Sequence, residues 1–193
     1  MSYLFNYYAK CYDSFMKFFR LDRQEEIINL FSDVYNTNVC DVGGGTGVLA
    51  DVLVRKGHRV TIIDPSIPMT KIARKRNQKI KIINKPIQQI ESRMKYDYIV
   101  FKDTFHHISQ QKEVLVKCHQ MLKDEGKIII QDFSPRSFQT KLLFLFEICC
   151  FEKIFPIADA TLLKMMGDVG YQGKIKRLNK RDYIVIGDKQ DYE

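Results

Sequence analysis

A cluster of glycines that directly follows a short apolar run is the feature that most constrains this chain. Residues 38–47 have the sequence NVCDVGGGTG, which predicts a strand that ends in a glycine turn. Glycine adopts positive φ angles and lets backbone N–H groups approach a ligand closely. The next residues place apolar side chains at helical spacing, at Val48, Leu49, Val52 and Leu53. This predicts a helix whose N-terminal amides and dipole favour an anionic group, and therefore a ligand site between strand and helix.

A second predicted strand ends in a carboxylate, as expected for such a site. Residues 60–63 are apolar or β-branched, and Asp64 follows them. Ligands of parallel α/β sheets bind at the carboxyl ends of strands, so Asp64 would bind two ribose hydroxyls. The alternatives are a plain tight turn with a helix cap, or a dinucleotide site, since residues 45–50 satisfy G-x-G-x-x-A. Asp41 opposes the dinucleotide, because its negative charge lies where phosphates would bind. The ligand is expected to carry a cation there.

Strand and helix patterns alternate along the chain, which predicts an α/β fold with a parallel sheet and helices on both faces. Strands are expected near residues 38–42, 60–63, 80–83, 97–101 and 127–132, with helices at 22–31, after Ser66, at 111–122 and at 138–155. Strand-like segments at 173–178 and 183–187 follow. The length of 193 residues fits one domain, divided into an N-terminal lid (1–35), a cofactor-binding core (36–133) and a C-terminal cover and hairpin (134–193).

Composition excludes several classes of protein. The five cysteines are odd in number and scattered, which predicts neither a disulfide framework nor a metal site and favours reduced thiols in the cytoplasm. The first residues lack a signal-peptide layout, and the apolar runs are too short to span a membrane. The net charge of +8 would permit nucleic-acid binding, but the basic clusters at 71–81 and 174–181 lack interleaved aromatic residues and are interpreted as solvated faces.

Several motifs occur in an order that resembles class I S-adenosylmethionine-dependent methyltransferases. They are residues 41–47, 64–66, 96–108 and 122–130. Residues 5–13 are similar to the entry segment of small-molecule methyltransferases of the ubiquinone/menaquinone-biosynthesis type. The resemblance implies a doubly wound, mostly parallel seven-stranded sheet of the Rossmann-like methyltransferase fold, with a C-terminal antiparallel hairpin. It also implies S-adenosylmethionine as the cofactor.

The resemblance further implies roles for individual residues. Asp41 would lie near the methionine ammonium and Asp64 would hold the ribose. The backbone cradle would be formed by Gly43, Gly44, Gly45 and Gly47. The remaining cofactor contacts are expected at Tyr12, Ser66, Met69, Asn84, Ile87 and Lys102. Two of these have plain alternatives, since Ser66 is also a helix cap and Met69 a core residue.

Methyl transfer from a sulfonium is an in-line displacement, so the protein chiefly aligns donor and acceptor and excludes water. A base is required only if the acceptor loses a proton. His106 or His107 is a candidate base, with Asp103 orienting it, because histidine titrates near neutrality. The alternative is that both histidines pack and cap the following helix.

Two segments are expected to enclose the site. Residues 1–19 are rich in aromatic side chains, which predicts a helical lid around the sulfonium or an amphipathic helix packed on the core. Residues 138–155 are strongly apolar and predict a substrate cover or a packed surface helix. The expected function is methylation of a small, apolar or aromatic organic acceptor. The alternatives are an RNA methyltransferase, a nicotinamide-dependent oxidoreductase and a cofactor-binding regulator without catalysis. Oligomeric state is left open.

Overall fold

The computed structural model describes residues 23–91, 93–149 and 153–190, without the side chains of residues 146 and 149. The strands of this part are β1 (Asn38–Val42), β2 (Arg59–Ile63), β3 (Lys81–Ile83), β4 (Tyr96–Lys102), β5 (Leu122–Phe133), β6 (Tyr171–Arg177) and β7 (Asp182–Lys189). The α-helices are α1 (Glu25–Asn29), α2 (Val48–Arg55), α3 (Ile67–Arg76), α4 (Gln111–Met121), α5 (Phe138–Cys149) and α6 (Asp159–Gly167). Short 3₁₀ turns lie at Ile87–Gln89 and Phe105–His107.

The strands form one sheet in the order β3-β2-β1-β4-β5-β7-β6. The first five strands in this order are parallel, and β7 is antiparallel to both β5 and β6. The predicted fold class is therefore confirmed. The chain leaves β1 towards β2 on one side and later returns to β4 on the other. This reversal opens a crevice at the carboxyl ends of β1 and β4, where ligands of such sheets bind.

Apolar side chains cover both faces of the sheet, which explains why its central strands are almost continuously apolar. Successive strand residues point to opposite faces. On β4, Ile99 and Phe101 belong to one buried cluster with Leu115 of α4. Val100 belongs to the other cluster, together with Leu53 of α2. These two apolar clusters fix the positions of the strands and helices that border the crevice.

Two helix predictions need correction. The predicted helix at 22–31 forms only over Glu25–Asn29. The predicted helix at 138–155 ends at Cys149, and residues 153–158 are not helical. Pro156 contributes to this, because the residue before a proline is disfavoured in the helical region. A further helix, α6, follows, with Leu162 and Met166 buried on one face.

The predicted N-terminal lid and Tyr12 lie outside the described residues. The segment predicted as a substrate cover or a packed surface helix forms α5, which buries Phe144 but exposes Phe138, Leu142 and Leu145. Among the helices of the described ranges, none has both the length and the apolar character required to cross a membrane.

Candidate functional site

The glycine turn follows β1 at the carboxyl edge of the sheet. Gly43, Gly45 and Gly47 have φ angles of 70°, 52° and 75°, which side chains rarely adopt. A Cβ atom at Gly47 would lie 2.8 Å from the Cβ atom of Ala73, so this glycine lets α2 and α3 approach each other. A Cβ atom at Gly45 would meet nothing nearer than a backbone oxygen at 3.9 Å. The turn is therefore packed at one end and faces open space at Gly45.

Asp41 is buried on β1 directly below the turn. A Cβ atom at Gly44 would lie 2.7 Å from Asp41 Oδ2, so only glycine fits above this carboxylate. Within the described part of the chain, Asp41 Oδ2 has no hydrogen-bond partner. Burial and the charge of Asp64 raise the pKa of Asp41 to about 7, although Lys102 acts in the opposite direction. A buried carboxylate of this kind is stabilised by a proton or by a cationic donor.

Asp64 ends β2 and ties the glycine turn to the start of α3. Its Oδ2 accepts a hydrogen bond from the Gly45 N–H at 2.9 Å, and its Oδ1 accepts one from the Ser66 N–H at 2.7 Å. Burial raises the pKa of Asp64, and these two N–H groups lower it. Each carboxylate oxygen keeps lone-pair capacity for a further donor. Asp64 can therefore accept hydrogen bonds from hydroxyl groups of a ligand.

The other predicted cofactor contacts near Asp64 differ in their surroundings. Asn84 lies beside it, because its Nδ2 donates to Asp64 O at 3.2 Å and to Thr70 Oγ1 at 2.6 Å. Ser66 precedes α3, but its side chain makes no capping hydrogen bond. Met69 and Ile87 have buried side chains. For Met69, this burial agrees with the alternative of a core residue.

The end of β4 faces the glycine turn across the crevice. Lys102 Nζ donates to the carboxylate of Asp103. Asp103 has a φ angle of 52°, which is unusual for a residue with a side chain. Thr104 Oγ1 donates to Lys102 O at 2.9 Å and lies 3.4 Å from Gly43 O. These contacts fix the end of β4 against the turn.

His106 lies in the 3₁₀ turn after β4 and is almost fully buried. Its Nδ1 is 2.6 Å from Asp132 Oδ1, and its backbone N–H donates to Asp132 Oδ2 at 2.9 Å. Asp132, at the end of β5, therefore orients His106. The expected orienting role of Asp103 is corrected, because Asp103 is paired with Lys102.

The other ring nitrogen of His106 faces α5. His106 Nε2 lies 3.6 Å from Glu147 Oε2. Burial lowers the pKa of His106, but Asp132 and Glu147 together raise it to about 10. In this arrangement His106 is protonated at neutral pH, which differs from the expected neutral base. His107 is partly exposed, and its pKa is lowered by burial and by His106.

Sequence reasoning missed Asp132 and Glu147. Asp132 follows the same pattern as Asp64, since both are acids at the carboxyl end of an apolar strand, and this pattern could have identified it. Glu147 lies within an apolar helix and has no such signal.

The pKa of Asp103 is raised by burial and by Asp132 and lowered by Lys102 and His106. The charged groups thus form a continuous row along the carboxyl edge, from Asp41 to Glu147.

Comparison with known proteins places this arrangement in a family. A family model described as a methyltransferase domain matches residues 8–174. An uncharacterized methyltransferase of Geobacillus sp. (strain WCH70) is 32% identical over 147 residues, covering 70% of this chain and 68% of that protein. A ubiquinone biosynthesis O-methyltransferase of Rickettsia prowazekii is 28% identical over 134 residues, covering 67% of this chain. The chain spans about half the length of the Rickettsia enzyme, at 52%.

Solved structures agree on the fold. A SAM-dependent methyltransferase of Thermotoga maritima superposes with a TM-score of 0.78 at 17% identity, covering 98% of this chain and all of that one. The family resemblance in the sequence motifs is thus confirmed by the family model, by sequence relatives and by the fold. The chain belongs to the methyltransferase domain family and is an S-adenosylmethionine-dependent methyltransferase.

Proposed function

We propose that this enzyme methylates a small organic acceptor, with the cofactor at the glycine turn and the acceptor beside the 3₁₀ turn after β4. One observation carries the placement of the cofactor: Asp41 Oδ2 is buried without a partner in the described structure, below a turn that faces open space at Gly45. A cationic group of the ligand would supply the missing donor. The residues present therefore fit S-adenosylmethionine, which carries an ammonium group.

Each side of the crevice has a distinct role in this proposal. Asp41 accepts hydrogen bonds from the methionine ammonium, and Asp64 accepts them from the ribose hydroxyls. Gly45 lets the backbone approach the ligand. Asn84 holds Asp64 in place, because the Asn84 side chain donates to the backbone oxygen of Asp64. When bound, the cofactor supplies an electrophilic methyl group on a sulfonium. The protein aligns this group with the acceptor and excludes water.

The surroundings of His106 support an aromatic or apolar acceptor. The ring of Phe144 on α5 lies 5.2 Å from that of His106, and the ring of Phe133 lies 5.7 Å from it. The ring of His107 lies 4.1 Å from the same ring, tilted by 44°. A planar apolar acceptor would pack against such rings, with its polar group towards His106 and Glu147. The proposed acceptor is therefore a small molecule with an aromatic or apolar body and one polar group.

The pairing of basic residues at the carboxyl edge of the sheet favours a small acceptor over RNA. Arg74, Lys75 and Arg76 are in the last turn of α3, and Arg76 Nε donates to Thr46 O of the glycine turn at 3.0 Å. At the carboxyl edge, Arg177 is paired with Asp159 and Arg181 with Asp182. The positive charge near the crevice is thus partly compensated by carboxylates.

A ligand panel tests the cofactor site. The full chain is melted alone and with S-adenosylhomocysteine, S-adenosylmethionine, NAD or NADP. A ligand that binds only the native state at 100 times its Kd stabilises it by about 2.7 kcal/mol. We expect stabilisation by the two adenosyl ligands, and we expect Asp64→Asn to remove most of it. Asp97→Asn is the matched control, because Asp97 lies at the opposite end of β4 and binds Lys123.

The melting and turnover results distinguish the proposed function from its alternatives. Stabilisation by a nicotinamide cofactor alone would contradict the methyl-donor site. Equal stabilisation of the wild type, Asp64→Asn and Asp97→Asn by S-adenosylhomocysteine would contradict its position at the glycine turn. Turnover of a panel of small phenols and amines then tests the acceptor class. Methylation of RNA without methylation of any small acceptor would overturn that part of the proposal.

A further inference from the structure

A cluster of potential metal ligands lies at the acceptor side of the crevice, apart from the residues assigned to the cofactor. It consists of His106, His107 and Glu147, and one ligand atom from each lies within 4.8 Å of the others. We propose that these three side chains bind one divalent transition-metal ion. The expectation of no metal site came from cysteine spacing, which does not report on a histidine and glutamate cluster.

Two buried atoms of the cluster point to a ligand that the protein itself does not supply. Within the described ranges, His106 Nε2 and Glu147 Oε2 are both buried and both lack a hydrogen-bond partner. They lie 3.6 Å apart, which is too long for a good hydrogen bond between them. An unsatisfied buried polar atom costs about 1–3 kcal/mol, and more when charged. An ion between these atoms would satisfy both.

The spacing suits a tetrahedral ion. Metal–nitrogen and metal–oxygen distances of about 2.0–2.2 Å place neighbouring ligand atoms about 3.3 Å apart. The observed 3.6 Å between His106 Nε2 and Glu147 Oε2 is close to this value. His107 is farther away, but its partly exposed side chain can adjust. Two histidines and one carboxylate form a ligand set used for zinc and for iron(II), with positions left open for water or substrate.

The partner of His106 fits the role of a metal-bound histidine. Metal-binding histidines commonly donate their other ring N–H to a carboxylate, which fixes the tautomer. Asp132 accepts from His106 Nδ1 at 2.6 Å and also accepts backbone N–H groups of His106 and Phe133. With Nδ1 protonated, Nε2 is left to bind the ion. The Phe155 N–H also fixes the backbone of the 3₁₀ turn, because it donates to His106 O at 2.6 Å.

The charges around the cluster also favour a divalent ion. Asp132 and Glu147 both face His106, whereas the nearby Asp103 is already paired with Lys102. A protonated His106 compensates one of the two remaining carboxylates. A divalent ion bound by neutral histidines compensates both. Its open position would face the acceptor side, where it could hold an oxygen atom.

Cobalt(II) binding to the full chain tests the proposal without any activity assay. Chelator-treated protein is titrated with Co²⁺ and followed by its visible d–d absorption. We expect binding of one equivalent, without the charge-transfer bands of a cobalt–thiolate bond. Glu147→Gln should weaken the affinity at least tenfold, and Asp132→Asn by roughly 10–100-fold. Glu113→Gln, an exposed change on α4, should leave the affinity unchanged.

Folding is checked separately by melting each variant in metal-free buffer. Glu147 lies near the surface end of the cluster, with a side chain 19% exposed, so Glu147→Gln is expected to fold normally. Absence of stoichiometric Co²⁺ binding by the wild type would overturn the proposal, as would equal affinity in Glu147→Gln. A protonated His106 seen by NMR in a chain that takes up no Co²⁺ would identify a buried ion pair instead.

Discussion

Asp41 is held under the glycine turn in surroundings that oppose its negative charge. The same burial that leaves Oδ2 without a partner in the described structure makes this carboxylate suited to a cationic ligand. At the scale of single residues, the buried charge of Asp41 is therefore unfavourable in the ligand-free protein, and a bound cationic group would stabilise it. Gly45 complements it, because its missing side chain leaves the space above the turn open.

The charge of Asp41 gives a pH-dependent prediction. The pKa of Asp41 is about 7 in the folded chain, above the ordinary aspartate value of 3.8, so the folded state binds this proton more tightly than the unfolded state. The wild type should therefore lose stability as the pH rises from about 4 to above 7, by about 1–4 kcal/mol from this group. Asp41→Asn should lack this loss. Denaturant unfolding of both proteins at pH 5 and pH 8 measures the difference, and parallel pH profiles would contradict it.

A pair of glycine substitutions separates backbone strain from ligand contact. Gly45 and Gly57 have φ angles of 52° and 92°, and a Cβ atom would have room at both positions. Alanine at either position should lower the free energy of unfolding by about 1–2 kcal/mol. Only Gly45→Ala should weaken S-adenosylhomocysteine binding, by more than tenfold in calorimetry. Equal affinities in the two variants would show that Gly45 does not face the ligand.

At the scale of elements, the C-terminal hairpin anchors the segment that follows the cover helix. Tyr183 of β7 donates from its hydroxyl to Ile157 O at 2.9 Å, and Arg177 of β6 binds Asp159 at the start of α6 at 2.5 Å. Residues 153–158 are thereby held against the sheet. The hairpin thus helps to fix the chain next to His106, although it contributes no residue to the cofactor side.

Removal of one hydroxyl tests this anchoring. Tyr183→Phe leaves the buried Ile157 oxygen without its donor, so we expect the free energy of unfolding to fall by about 1–3 kcal/mol. Tyr35→Phe is the control, because Tyr35 is 73% exposed. Chemical denaturation of the three proteins gives the values. If both variants were as stable as the wild type, the Tyr183 hydrogen bond would not stabilise the fold.

At the scale of the whole molecule, the basic surface and the candidate site are built from different residues. The basic last turn of α3 contacts the glycine turn through Arg76, whose Nε donates to Thr46 O at 3.0 Å, whereas the acids and histidines of the site follow the carboxyl ends of β1, β2, β4 and β5. A net charge of +8 therefore does not by itself create a basic crevice.

The carboxylates along the carboxyl edge of the sheet predict weak and unspecific binding of RNA. Retention of the chain on immobilised polynucleotide should vanish at physiological salt, and Lys75→Gln should not change the affinity for S-adenosylhomocysteine. A steep fall of RNA affinity with salt concentration would indicate several phosphate contacts. If RNA also remained bound at physiological salt, the small-acceptor proposal would be weakened.

The sequence by itself determined the strand, glycine turn and helix around Asp41 and Asp64, because these depend on local periodicity and on the backbone freedom of glycine. It also determined the fold class, through the alternation of strands and helices. Only the tertiary structure decided that Asp132, not Asp103, contacts His106, and that Glu147 reaches the same ring from α5. Such contacts join residues far apart in the chain, so no local pattern encodes them. Their positions follow from sheet order and helix packing, which set where each side chain ends.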